Sequence, residues 1–289
     1  MTSAKRRRYR TMNYYEFNYD SISAFGDAVA LANTLPRAGT NDSSVTSSFD
    51  DNPFTLDTAI EAAQNGGDWE KGAEDMAAVN IDIDAPQSTY LPKYVSDVVG
   101  AFPNVPAYLA GHPNSMFNRK QIEAPKKFIR VGVGITAPWF VTADALYNKG
   151  RAIMAVVNDL VSQGYGVEVC AVYHMGQQRK FTTPEAGLNA KMTIRVKESH
   201  AHWDTGTVAF ALANASFFRN LCWRELENVE ALTSVLDESY GYSLDDGGAD
   251  FDLWFPPMTG HGDERPYKSA EGALNKALEY VADYIAKAA

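Results

Sequence analysis

The segment from residue 126 to residue 175 constrains the fold most, because a strand, a turn, a helix and a second strand follow one another there. The first strand is a largely apolar run over residues 128–135, and the second is a similar run over residues 167–174. Between the two runs, apolar residues recur at helical spacing at Leu146, Ile153, Val157 and Leu160. An apolar strand joined by a helix to a second apolar strand predicts a parallel pair in an α/β sheet.

The turn after the first strand is where an open α/β sheet binds ligands, because the crevice lies outside the carboxyl ends of the strands. Thr136, Pro138, Trp139 and His174 are expected to line this crevice, and no Asp or Glu lies on the first strand. We therefore do not expect a carboxylate-bound cation there. Any role of the crevice is expected to use these four side chains or to be that of a docking surface.

The composition bounds the class of protein. The 289 residues are 45% hydrophobic and 12% aromatic, which is ample for a packed core. No window approaches the roughly 20 apolar residues that span a bilayer, and the basic N-terminus lacks the apolar centre of a secretory signal. The two cysteines, Cys170 and Cys222, give no disulfide framework. We expect an intracellular, soluble protein with no membrane partner and no cofactor.

The chain is predicted to divide into three regions. Residues 1–20 form a basic and aromatic N-terminal arm, residues 21–125 a helical and proline-rich arm that packs on the core, and residues 126–289 the α/β core domain. The prolines of residues 86–125 argue against an independent sheet in that stretch. From residue 126 onward, the predicted order strand, helix, strand, strand, helix, helix, strand, helix is that of an α/β three-layer sandwich.

This order, with a threonine in the turn after the first strand, resembles the von Willebrand factor A-type fold. The metal site of that family needs Asp-x-Ser-x-Ser at the end of the first strand. Residues 134–138 are Gly-Ile-Thr-Ala-Pro instead. Only Thr136 could be carried over, and a divalent cation would lack its main oxygen ligands. The resemblance implies a von Willebrand factor A-like sheet without the metal site.

A second resemblance covers most of residues 48–220 and rests on four segments. These are Trp-Glu-Lys-Gly at 69–72, Val-Pro-Ala-Tyr-Leu-Ala-Gly-His-Pro-Asn-Ser-Met at 105–116, Arg-Val-Lys at 195–197 and Val-Ala-Phe-Ala-Leu-Ala at 208–213. Together with the strand–helix–strand unit, they resemble an uncharacterised family of tailed-bacteriophage and prophage proteins. That resemblance implies no activity.

The overall arrangement is also similar to the single-stranded-DNA-binding transcription activators of N4-like phages, which recruit a small phage RNA polymerase to promoters. This similarity implies single-stranded DNA as a partner, together with a phage RNA polymerase or another phage protein. It also implies a place in the cytoplasm of the infected bacterial host.

Charge and aromatic residues point to the same partner. The net charge of −10 disfavours a nucleic-acid clamp over the whole surface, but aromatic side chains next to cations can stack bases while holding phosphates. One candidate set is Lys5, Arg6, Arg7, Arg8, Tyr9 and Arg10, for which a solubilising tail is the alternative. A second set, Arg119 and Lys120, follows Phe117 and precedes Lys126 and Lys127, and a core aromatic with cations at the rim explains it equally well. A third, Phe217–Arg219 with Trp223 and Arg224, is explained equally well as core aromatics with cations at the rim.

The sharpest pattern for metal chemistry is His200-Ala201-His202-Trp203-Asp204, which follows a predicted strand. His-x-His spacing at a strand end can direct both imidazoles to one side, and His200, His202 and Asp204 could then ligate zinc. The alternative for Asp204 is the N-cap of the following helix. The further Asp-His pair that makes the hydrolase motif specific is missing.

These observations favour a non-catalytic bacteriophage-encoded binding protein that binds single-stranded DNA and recruits a phage RNA polymerase to promoters. A metal-dependent hydrolase centred on the histidine motif is the alternative, and a virion or assembly component is a third. No phosphate-binding loop or nucleophile elbow supports another enzyme class. Gly132 and Gly134 lie inside the first strand, where they favour close packing of a neighbour rather than dinucleotide binding.

Overall fold

The computed structural model describes residues 5–9, 12–36, 54–67, 69, 72–74, 81, 83, 90–123, 128–138, 140–176, 188–202, 204–232, 243–245 and 247–288. The strands are β1 (Lys5–Tyr9), β2 (Met12–Tyr19), β3 (Tyr90–Asp97), β4 (Phe102–Pro103), β5 (Met116–Glu123), β6 (Phe128–Gly134), β7 (Gly166–Gly176), β8 (Leu188–Lys197) and β9 (Leu253–Phe255). The helices are α1 (Ile22–Asn33), α2 (Leu56–Gln64), α3 (Val105–Leu109), α4 (Ala143–Ser162), α5 (Thr205–Ala213), α6 (Trp223–Leu226) and α7 (Ala270–Ala288). Short 3₁₀ turns lie at Glu230–Leu232, Gly247–Asp250 and Arg265–Lys268.

The chain folds into two compact units. The core unit takes the described residues of 1–83 and 128–289, and the inserted unit takes those of 84–127. The core unit has a six-stranded sheet in the order β1-β2-β8-β7-β6-β9, in which three of the five pairings are parallel. Helices α1, α4 and α5 pack on its strands. The predicted α/β class is confirmed as a mostly parallel sheet flanked by helices.

Strand β6 lies inside the sheet between β7 and β9, parallel to both. Val131 and Val133 are at most 1% exposed, which explains why this strand is a continuous apolar run rather than an alternating one. A β-carbon on Gly134 would lie 2.5 Å from the ring and backbone nitrogen of Pro257. The glycine therefore allows the backbone after β9 to pack directly on the carboxyl end of β6, as the sequence predicted.

The sequence pattern predicts the first two helices at about residues 21–34 and 55–65, and both helices begin there. The hydroxyl of Ser21 accepts a hydrogen bond from the Ala24 amide, and the hydroxyl of Thr55 accepts one from the Thr58 amide. Such N-caps satisfy amide groups that have no partner inside the helix. Helix α1 directly follows β2, so the N-terminal residues enter the core unit as a strand and a helix.

Residues 5–9 and 12–19 thus form strands, where the sequence suggested an arm. Strand β2 pairs in parallel with β8, and β1 pairs antiparallel with β2 at the edge of the sheet. Phe17 and Tyr19 are buried. Phe17 and Tyr19 therefore have a structural use that local sequence did not indicate, because the partner strand β8 lies far away in the chain.

The expectation that residues 86–125 form no independent sheet was wrong. Strands β3, β5 and β4 make a three-stranded antiparallel sheet with β5 in the middle. Pro92 lies in β3 and Pro103 in β4, which are the two edge strands. A proline lacks the amide needed for a central strand but fits an edge. The prolines are therefore compatible with this sheet, because they lie in its edge strands.

The helix predicted from residue 205 to residue 219 ends early, at Ala213. Asn214 is extended, with φ −86° and ψ 117°, and its side-chain oxygen accepts a hydrogen bond from the Ser216 amide. A π-helical turn then runs over Phe217–Cys222. Competition from the asparagine side chain for backbone groups explains the break. Of the helix predicted at residues 228–238, the structure shows a 3₁₀ turn at Glu230–Leu232, and residues 233–238 lie outside the described residues.

Candidate nucleic-acid interface

One face of the inserted sheet gathers aromatic residues and an arginine from all three strands. Tyr94 on β3 is opposite Arg119 on β5, and Phe117 on β5 is opposite both Ser96 on β3 and Phe102 on β4. Cross-strand partners, and residues two apart along a strand, share one face of a sheet. We call the face that carries Tyr94, Phe102, Phe117 and Arg119 the aromatic face.

The rings of the aromatic face contact each other and remain open to solvent. The ring centroids of Tyr94 and Phe102 are 5.1 Å apart, and those of Phe102 and Phe117 are 6.3 Å apart. Tyr94 is 51% exposed and Phe102 is 45% exposed, while Phe117 is half-buried. Two exposed rings beside a half-buried third form a surface on which flat, weakly polar groups such as nucleobases can stack.

The turn between β3 and β4 fixes this arrangement. The carboxylate of Asp97 accepts a hydrogen bond from the Val98 amide at 2.8 Å, and the Ala101 amide donates to the Phe117 carbonyl at 2.8 Å. A β-carbon on Gly100 would lie 2.2 Å from that same carbonyl oxygen. Only glycine allows the turn to approach β5 so closely, and this approach places Phe102 beside Phe117.

The inserted unit differs in charge from the rest of the chain. Residues 84–127 hold five Lys or Arg and three Asp or Glu, whereas the whole chain has a net charge of −10. Arg119 is exposed on the aromatic face, and Lys120 pairs in register with Lys93. The two predicted binding residues of this unit therefore lie on the central strand of the sheet that carries the exposed rings.

The N-terminal candidate residues lie in the core unit. Lys5, Arg6, Arg7, Arg8 and Tyr9 form β1, with Arg7 opposite Tyr14, and Arg10 lies outside the described residues. Charged residues on an edge strand also prevent pairing with other chains. Binding of phosphates by this set therefore stays a prediction, and the two predicted sets belong to different units.

The third candidate set is structural. Arg219 and Arg224 are 2% and 1% exposed. The Arg219 guanidinium donates to the Val141 carbonyl at 2.6 Å. Arg224 donates to the Asn33 side chain at 3.2 Å and to the Leu35 carbonyl at 2.8 Å. The aromatic residues of this set lie in the core, as the alternative predicted, but the two arginines are buried and bonded inside the protein, where the alternative placed them at the rim.

The histidine motif is only partly assembled. Asp204 caps α5, since its carboxylate accepts from the amides of Gly206 and Thr207 and from the Thr207 hydroxyl. His202 and Asp204 line an open groove of about 280 Å³ at the carboxyl ends of β2 and β8, and His200 is exposed and not part of its lining. Among the described residues, no group of three or more His, Cys, Asp or Glu side chains could hold a metal ion.

The described residues of the predicted crevice at the end of β6 are buried. Thr136 is 1% exposed and His174 is 2% exposed. The hydroxyl of Thr136 accepts a hydrogen bond from the His174 amide at 2.8 Å, and Pro138 is buried as well. Trp139 lies outside the described residues. This hydrogen bond ties the turn after β6 to strand β7.

A buried lysine at this end of the sheet was missed. The ammonium of Lys149 donates to the Gly134 carbonyl at 2.7 Å and to the Pro256 carbonyl at 2.6 Å. The side chain is fully enclosed, and burial lowers its pKa to about 7. The sequence held a signal, because residue 149 lies three positions after Leu146 and four before Ile153, on the apolar face of α4.

None of the described helices is long and apolar enough to cross a membrane.

Comparisons with known proteins identify a family but no activity. No curated protein matches the chain, and no solved structure matches it. Residues 5–282 match the family described as Domain of unknown function (DUF7192), and the chain belongs to this family.

Proposed function

We propose that this protein binds single-stranded DNA without catalysing a reaction, and that the aromatic face of the inserted unit is the surface on which bases stack. One observation carries the proposal. Tyr94, Phe102 and Phe117 form a contiguous set of rings, two of them about half exposed, on a sheet face that also presents Arg119. Stacking on aromatic rings with a cation nearby is the general way in which proteins bind single strands without reading sequence.

Single-stranded nucleic acid fits this face better than a duplex does. In a duplex the faces of the bases are stacked on each other, and a protein meets mainly phosphates and base edges. Phosphate contacts need many cations, and the net charge of the chain is −10. In a single strand the bases can turn outward onto the rings of Tyr94 and Phe102, and a single nearby cation such as Arg119 is enough to hold a phosphate.

The size of the aromatic face limits the number of bases. The three ring centroids are separated by 5.1 Å and 6.3 Å. Three rings at this spacing accept two or three unstacked bases, as in other sheet platforms for single strands. Because every base has a π-face, we expect weak sequence preference.

The test is fluorescence anisotropy with a labelled oligothymidine of about 20 nucleotides at about 50 mM salt, where contacts to phosphates are strong. Phe102→Ala is expected to weaken binding roughly 5- to 150-fold, the usual range for one stacked base. Phe128→Ala is the matched control, because Phe128 lies in the core unit and is 46% exposed against 45% for Phe102. Arg119→Gln is expected to lower the slope of log affinity against log salt by about 0.7.

Two results would contradict the proposal. One is the absence of binding by the unaltered protein at this salt concentration. The other is an equal loss of affinity in Phe102→Ala and Phe128→Ala, since an effect without regard to position would come from general destabilisation.

The wider setting rests on the resemblances of sequence and element order given above. We propose on that basis that a bacteriophage encodes the protein, that its core is von Willebrand factor A-like, and that it acts in the cytoplasm of the infected host. There it would recruit a phage RNA polymerase to promoters. Co-purification from infected cells tests this setting, and recovery of virion proteins instead of a polymerase would favour an assembly role.

A further inference from the structure

The inserted unit contains a long stretch without charge. Residues 98–118 include no Asp, Glu, Lys or Arg, although 21% of the chain is charged. Charged residues flank the stretch directly at Asp97 and Arg119. Most of its residues are exposed. A surface segment of this length without charge is unusual for a protein that must stay in solution, and it points to a surface that another molecule covers.

Within this stretch, six large apolar side chains are exposed. Phe102 belongs to the aromatic face, and we call the other five the apolar patch. On α3, Val105, Tyr108 and Leu109 follow the i, i+3, i+4 spacing of one helix face. The other two lie in the turn after β3. The exposed fractions are 63% for Val98, 74% for Val99, 55% for Val105, 68% for Tyr108 and 79% for Leu109.

The extent of the patch matches one side of a stable interface. With ordinary side-chain areas, these exposed fractions amount to roughly 500 Å² of apolar surface, at the upper end of what monomers show. A standard interface buries about 800 Å² per partner, and about 65% of a homodimer interface is apolar. The apolar patch therefore supplies about the apolar area that a dimer needs from each chain.

We infer that the apolar patch is where a second copy of this chain binds, forming a two-fold symmetric dimer through the inserted unit. In such an interface each residue near the axis meets its own copy, so any charge there would meet a like charge. A charge-free stretch avoids this conflict. A dimer interface at this stretch also suits a chain with a net charge of −10, because the charged side chains that would repel each other lie outside the stretch.

This surface is distinct from the one proposed for DNA. The apolar patch uses α3 and the turn after β3, while the aromatic face uses Tyr94, Phe102, Phe117 and Arg119. A dimer would carry two aromatic faces, so that one strand could be held at two places with increased avidity. Formation of the dimer does not depend on DNA binding, and its test contains no DNA.

The test is sedimentation velocity of the full chain, free of nucleic acid, from about 1 to about 100 µM. The unaltered protein is expected to sediment as a dimer at the upper concentrations. Tyr108→Glu is expected to raise the dimer dissociation constant at least tenfold, because it places two like charges across the axis. Leu31→Glu is the control, since Leu31 is 66% exposed on α1 in the core unit and should leave association unchanged.

A monomer at about 100 µM would overturn the inference, and so would a dimer that Tyr108→Glu leaves intact. Equal weakening by Leu31→Glu would also overturn it, since the effect would then follow from added charge alone. Both variants change exposed side chains, and circular dichroism verifies that each retains its fold.

Discussion

Lys149 gives the sharpest prediction, because its burial links the stability of the core unit to pH. Its ammonium lies between the Gly134 and Pro256 carbonyls, and burial lowers its pKa from 10.5 to about 7. A neutral amine still has two N–H donors, so it can keep both hydrogen bonds after it loses its proton. The folded protein is therefore able to release this proton at a pH where the unfolded chain still holds it.

The sign of the effect follows from the two pKa values. Below pH 7 Lys149 is protonated in both the folded and the unfolded state, so burial of the charged ammonium lowers the free energy of unfolding by its full amount. Between pH 7 and pH 10.5 only the unfolded chain is protonated, so this contribution of Lys149 to stability rises with pH. The slope is about 1.4 kcal/mol per pH unit. From pH 7 to pH 9 the gain is roughly 2 to 3 kcal/mol.

The experiment compares the unaltered protein with Lys149→Met by urea denaturation at several values between pH 7 and pH 9. The substitution leaves the two carbonyl groups without their donor, which adds a penalty that does not change with pH. The difference in free energy of unfolding, unaltered minus variant, is expected to grow by roughly 2 to 3 kcal/mol across this range. Burial raises the pKa of Cys170 to about 11, and its titration cancels because both proteins contain it.

Lys268→Met serves as the control, since the Lys268 side chain is 65% exposed. Its difference from the unaltered protein is expected to stay constant over the same range. A constant difference for Lys149→Met as well would refute the assignment of a lowered pKa to this lysine. A difference that shrinks with rising pH would show that the charged form is the one the fold stabilises.

Two further predictions concern the sheet and the N-terminus. Gly134→Ala is expected to destabilise the protein by about 1 to 3 kcal/mol, because its β-carbon would meet Pro257 at 2.5 Å. In the same urea experiment, Gly260→Ala is expected to change the free energy of unfolding by no more than about 0.5 kcal/mol, because the atom nearest to its added β-carbon is 3.8 Å away. Equal destabilisation by the two substitutions would contradict the packing explanation. Replacing residues 6–8 by glutamine should keep β1 and weaken retention on single-stranded DNA in a salt-dependent way; unchanged retention would remove this segment from the binding surface.

The elements whose positions were predicted correctly are those that depend on residues close together in the sequence. Strands β6 and β7 are apolar runs, and helices α1 and α2 are each directly preceded by a residue whose side chain caps the helix. Their bounds were predicted to within one or two residues. The π-helical turn was not, because the break at Asn214 depends on a side chain that bonds to the backbone two residues later.

The inserted sheet and the pairing of β2 could not be predicted for a different reason. Prolines in β3 and β4 look like strand breakers until the strand order shows that both strands are edges. The partner of β2 is β8, far along the chain, and nothing near residue 12 indicates it.

The candidate site shows the same limit. The sequence identified Phe117 with Arg119 and Lys120 as candidate binding residues. Only the strand register shows that Tyr94 and Phe102 lie on the same sheet face as Phe117 and Arg119. Lys149 was overlooked because a lysine on an apolar helix face is usually exposed or at an edge, and its burial depends on carbonyl groups from β6 and from the segment after β9.

The parallel pairing of β2 with β8 also determines when the protein can fold during synthesis. Asp20 after β2 and Arg195 on β8 are in contact although they lie 175 positions apart in the chain. At the usual rate of elongation, roughly 10 to 35 seconds pass before the ribosome has made the second strand. Until then Phe17 and Tyr19 lack the neighbour that covers them in the finished sheet. The nascent chain therefore presents an aromatic strand with one edge unpaired for that interval, and a chaperone or an early partner that shields this edge would raise the yield of folded protein.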